Sequence, residues 1–69
     1  MTLDPVIYMQ VEITNLYMDR HDLSPDEFLL LDDRCNILAF IEECYEPFHL
    51  TGNEGILYEI ENYISAQGA

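Results

Sequence analysis

"LSPDEF", residues 23–28, contains the start of a helix in full. Ser24 supplies an N-cap oxygen, Pro25 fits the first helical position where no N–H is needed, and Glu27 stands three residues after the cap to complete a capping box. Leu23 before the cap and Phe28 at the fourth helical position make the pair of a hydrophobic staple. The apolar run Phe28 to Leu31 is short, because Asp32, Asp33 and Arg34 end it. A helix over about 24–33 is therefore predicted. Its two terminal acids oppose the macrodipole, with Arg34 as a local offset.

On the N-terminal side, Asp4-Pro5 repeats the cap-then-proline start. Val6, Ile7, Val11, Ile13, Leu16 and Tyr17 then give a broad apolar stripe, so a first helix is expected over about 4–20. Arg20 and His21 suit its C-terminus, where donors meet free carbonyls, and Tyr17 stands four residues before His21, close enough to stack.

On the C-terminal side, Asn36 is expected to cap a third helix over about 36–46. Ile37, Leu38, Phe40, Ile41, Cys44 and Tyr45 recur there at spacings of three and four, and Pro47 is expected to stop the helix. Thr51 and Glu54 have capping-box spacing for a fourth helix, about 52–66. Ile56, Leu57, Ile60, Tyr63 and Ile64 form its apolar face, with Glu59, Glu61 and Asn62 opposite. No alternating run remains to build a strand. The fold class is all-α: a small four-helix bundle with short connections and antiparallel neighbours, in one domain spanning residues 1–69.

Sixty-nine residues bury only about 60% of their unfolded surface, so the core is thin and a deep active site has little room. A thin core also makes a homodimer an open expectation. With 49% hydrophobic residues the chain has enough apolar material to fold. Fourteen acids face two arginines, Arg20 and Arg34, and no lysine, for a formal net charge of −12. That field repels nucleic-acid phosphates and anionic lipid, and favours basic proteins or cations. No direct nucleic-acid binding and no membrane association are expected. Met1 to Ile7 lacks the basic and apolar regions of a signal peptide, so a cytoplasmic location is expected. If Cys35 and Cys44 both lie on or beside one helix, their nine-residue separation is about 13 Å. A disulfide needs Cα atoms within roughly 7 Å, so both thiols are expected to be reduced.

The densest cluster of reactive side chains is "EECYEPFH", residues 42–49. As a metal site it offers Cys44 and His49 with Glu42, Glu43 and Glu46, but it lacks the paired Cys or His spacing of structural zinc sites. As a nucleophile, Cys44 has His49 only beyond a proline, and glutamates instead of cations around it. Cys44 is better read as a small core hydrophobe. His49, like His21, follows a helix C-terminus and is expected to donate to a free carbonyl. There is no calcium loop, glycine-rich phosphate loop or basic patch, and no cofactor is expected.

These segments resemble a family of small bacterial helical proteins, the domain of unknown function three-seven-nine-one. The resemblance covers roughly Tyr8 to Ile64 and rests on Tyr17 followed by "HDLSPDEF", on "NILAFIEECYEPFHLTG" and on "ILYEIENYI". The spacing of Tyr45, Glu46, His49 and Gly52 is its most specific element. Pro25 stands where a glycine is usual, Pro47 interrupts the tyrosine-to-histidine segment, and the common lysines are absent. The resemblance implies an accessory or antitoxin-like partner of enzymes that look like ADP-ribosyltransferase toxins. It implies no catalytic residue.

The expected function is a non-enzymatic, acidic protein-interaction module meeting a more basic partner, with Glu42, Glu43, Glu46, His49 and Glu59 as candidate contacts. Glu42 and Glu46, as i,i+4 like charges near a helix C-terminus, cost a few tenths of a kcal/mol unless something positive meets them. Two alternatives stand beside it. One is an acidic nucleic-acid mimic that blocks a nucleic-acid-binding protein. The other is a small metal-binding or thiol-dependent protein using Cys44 and His49.

Overall fold

Asp4 begins the first helix as the sequence predicts: its carboxylate accepts from the Val6 N–H at 2.8 Å, and Pro5 occupies the first turn. In the computed structural model, which describes residues 4–68, this helix is α1, Pro5–His21. It is followed by α2 (Pro25–Cys35), α3 (Ile37–Glu43), α4 (Tyr45–Phe48) and α5 (Asn53–Ala66), with no strand among the described residues. The Ser24 capping box is complete: the Glu27 N–H donates to the Ser24 hydroxyl at 3.1 Å, and the Ser24 N–H donates to the Glu27 carboxylate at 2.8 Å. The bundle is the expected all-α one, with its third helix broken into α3 and α4.

Pro47 causes that break, but not by ending the segment. A proline ring clashes with the carbonyl four residues earlier, here that of Glu43, so the continuous helix stops at Glu43. The chain resets at Cys44 (φ −99°, ψ 14°). Pro47 then lies inside the single turn of α4, where no N–H is required of it. Glu46 consequently falls in the first turn of α4, the favourable end for an acid, instead of near the C-terminus of one helix shared with Glu42.

Two caps differ from expectation. Asn36 takes a left-handed conformation (φ 57°) between α2 and α3 and makes no side-chain cap bond. Asp32 supplies the cap instead, its carboxylate accepting from the Leu38 N–H at 2.8 Å. An acid that looked unfavourable at the end of α2 thus satisfies the start of α3. Thr51 does not cap α5, whose N-cap is Gly52 without a side-chain bond. Its hydroxyl donates to the Pro47 carbonyl at 2.9 Å, and its methyl lies where a Cβ on residue 55 would sit, which is why glycine fits there.

The core is built from narrow stripes. Ile13 and Tyr17 come from α1, Phe28 and Cys35 from α2, Ile37 and Ile41 from α3, Phe48 from α4, and Ile56, Leu57 and Ile60 from α5. The α1 stripe is narrower than predicted. It runs through Met9, Ile13, Leu16 and Tyr17, whereas Ile7 and Val11 are about half exposed, and Leu29 and Leu30 on α2 are more exposed still. Helix α1 packs on α3 and α5, and α3 on α2 and α4. Glu12 meets Asn53, Arg20 reaches both Glu54 and Glu61, and His21 meets Glu61, so polar side chains tie α1 to α5 beside the core.

Candidate functional site

The predicted contact glutamates are all on the surface. Glu42 and Glu43 end α3, Glu46 begins α4, and Glu59 lies on the exposed side of α5. Glu43 and Glu59 are brought together across Cys44. Partial burial raises the Cys44 thiol pKa above its ordinary 9.0, and the charges of Glu43 and Glu59 raise it further. Both effects disfavour the thiolate. Cys35 is buried and also free.

His49 is exposed, and its place differs from the prediction. Its Nε2 lies 3.4 Å from Glu46 Oε2, and its ring stacks on Tyr45 with centroids 5.3 Å apart. The turn carbonyl of Pro47 is taken by Thr51, not by the imidazole. His21 likewise turns from the helix-end carbonyls to a carboxylate, with Nε2 2.9 Å from Glu61 Oε2, while its ring lies against Tyr17 with centroids 4.3 Å apart but planes tilted by 31°, a contact rather than the expected stack. Cys44 and His49 thus have separate surroundings. Among the described residues no group of three His, Cys, Asp or Glu side chains is arranged to hold a metal ion.

Arg20 bridges α1 to α5 by pairing with Glu54 and, at 3.7 Å, with Glu61. The Glu54 hydrogen bond is the main cause of its raised pKa. Tyr17, beneath this network, has its pKa raised by burial first and then by the charges of Glu61 and Cys35.

Two concavities flank α1. One, about 370 Å³, runs between α1 and α2 past Ile7, Val11, Phe28 and Leu29 and contains no charged side chain. The buried Thr14 hydroxyl, which lacks a hydrogen-bond partner, also lies along it. The other is an open cleft of about 590 Å³ where the first half of α1 meets α4 and the start of α5. Tyr8, Glu12, Tyr45, Phe48, His49 and Asn53 line it. Asn53 Nδ2 donates to Glu12 Oε1 at 3.2 Å, fixing that carboxylate in the wall. The sequence reading identified only His49 of these as a candidate contact. Tyr8 and Glu12 share a helix face at i,i+4 spacing, but their meeting with Tyr45 depends on packing across 37 and 33 residues of chain respectively.

No helix among the described residues is long and apolar enough to cross a membrane. The search of curated proteins and the search of solved structures each found no match. A family model described as "Protein of unknown function (DUF3791)" matches residues 9–67, a span that includes both tyrosine–histidine ring pairs and most of the cleft. The chain therefore belongs to the DUF3791 family.

Proposed function

We propose that this chain is a non-enzymatic protein-interaction module, a bacterial cytoplasmic accessory or antitoxin-like partner of a more basic, toxin-type enzyme. The observation that carries this reading is the imbalance of charge after internal pairing. Fourteen acids share two arginines, and Arg20 is already held by Glu54 and Glu61. Glu42, Glu43, Glu46 and Glu59 remain on the surface, with Glu43 and Glu59 close enough to raise the pKa of the same thiol. Like charges held together in this way favour a cationic partner, whose arrival removes their repulsion and speeds encounter.

The test is co-purification with the product of the neighbouring gene at low and high salt. A complex is expected at low ionic strength and weaker capture near 1 M salt, where screening shortens to about 3 Å. Replacing Glu42, Glu43, Glu46 and Glu59 together with glutamine is expected to slow association. Absence of a complex at both salt concentrations would overturn the reading.

A further inference from the structure

We infer that the cleft between α1, α4 and α5 binds the guanidinium of an arginine side chain presented by a protein partner. This rests on the interaction reading above and assigns it a specific contact. The cleft combines aromatic faces with one anchored anion. Tyr8 is 58% exposed and takes no part in the core, although a tyrosine left in water forgoes a large burial gain. Tyr45 and His49 add a stacked pair of rings, inclined by only 18°. Glu12 supplies the charge. Asn53 occupies its Oε1, which orients the carboxylate and leaves Oε2 for another donor. No arginine or lysine lines the cleft.

Such a wall selects by charge and by shape. An anionic ligand would meet Glu12 inside a chain of net charge −12. A neutral aromatic ligand would cover the carboxylate without satisfying it. A cation satisfies Glu12 and gains from the electron-rich faces of the tyrosines. Guanidinium suits the site better than ammonium, because it is planar, weakly hydrated and able to stack on a ring while donating to a carboxylate. The cleft is open to solvent, with a volume of about 590 Å³. It accommodates a side chain with its flanking backbone.

The test is an NMR titration of the isotopically labelled chain with the capped peptide Ac-Gly-Arg-Gly-NH₂ at physiological salt. The citrulline and lysine peptides serve as the neutral near-isostere and the ammonium comparison. The expected result is amide shifts grouped at Tyr8, Glu12, Tyr45, His49 and Asn53, absent with citrulline and weaker with lysine. Glu12→Gln keeps an oxygen for Asn53 and is expected to weaken binding about tenfold, the scale of one charge-assisted contact. Tyr8→Leu, at an exposed position, is expected to weaken it severalfold. Absence of shifts, shifts spread over Glu42, Glu43 and Glu59, or equal response to citrulline would overturn the inference. So would equal binding of lysine or undiminished binding by Glu12→Gln. A protein complex that tolerates both substitutions would refute the cleft contact and leave the module reading intact. Peptide binding in the cleft without any protein complex would do the reverse.

Discussion

The Tyr63 hydroxyl donates to the Cys35 carbonyl at 2.7 Å, fastening the second half of α5 to the last turn of α2. That carbonyl is one of the four that a helix end leaves without an internal partner. Gln67 Nε2 reaches the same oxygen at 3.2 Å. The Tyr63 ring also stacks on Phe40, with centroids 3.9 Å apart and planes within 10°. One side chain therefore joins α2, α3 and α5.

Tyr63→Phe keeps the stack and removes the donor. The expected loss is about 1 kcal/mol, or a fall in Tm of about 4–8 °C for a chain of this size. Adding Gln67→Leu leaves the carbonyl without either donor and is expected to lower Tm further. Thermal melts followed by circular dichroism check both steps, and an unchanged Tm in the double variant would refute the role of this carbonyl.

The two sharp turns between the first three helices use non-glycine residues with positive φ, Asp22 at 54° and Asn36 at 57°. Both side chains tolerate this region better than most, but glycine occupies it without strain. Asp22 also places a carboxylate at the C-terminus of α1, the unfavourable end of its dipole. Asp22→Gly is expected to stabilise the fold by about 1 kcal/mol. Asn36→Ala is expected to cost about 1–2 kcal/mol. Urea denaturation midpoints should move in opposite directions for the two variants.

The difference between what the sequence conveys and what it conceals is visible at these turns and caps. Ser24 with Glu27, and Asp4 with Pro5, act within one helical turn, so their residue types specify their geometry. Asp32 caps the next helix rather than its own, an arrangement requiring Asn36 to turn left-handed first. The break at Glu43 was implicit in Pro47, since the clash falls four residues upstream, yet a stop at the proline is the simpler reading. Ile7 and Val11 looked like core because their spacing is helical, but spacing does not reveal how wide a stripe the neighbouring helices cover. The cleft was hidden for the same reason. Tyr45 and His49 are paired by local spacing, whereas Tyr8 and Glu12 reach them only through packing of α1 beside α5.

Cys44 is a weak nucleophile by placement. Burial comes first among the causes of its raised pKa, followed by Glu43 and Glu59. Less thiolate is then present near neutral pH than in an unperturbed cysteine, and alkylation by iodoacetamide is expected to be slower than for a model thiol. Glu43→Gln with Glu59→Gln removes both negative charges and should accelerate alkylation. Mass spectrometry over a time course reads the rate at this position. Rapid alkylation of the unaltered chain would restore the thiol-dependent alternative.

The capping box gives α2 a defined response to acid. Hydrogen bonds from the Ser24 backbone N–H, and then from its side chain, lower the Glu27 pKa from the ordinary 4.5. A carboxyl group whose pKa is lower folded than unfolded contributes stability above its unfolded value, and loses it as pH falls through the folded one. The contribution of Glu27 is therefore fully present at neutral pH, declines below 4.5 and is gone once the folded carboxylate protonates. Glu27→Gln cannot titrate and should be less stable than the unaltered chain at neutral pH. The gap is expected to narrow as pH falls below 4.5. Urea midpoints for both chains across this range measure the gap directly. A gap that stays constant into the acid range would show that the amide's geometry, and not the lost charge, separates the two proteins.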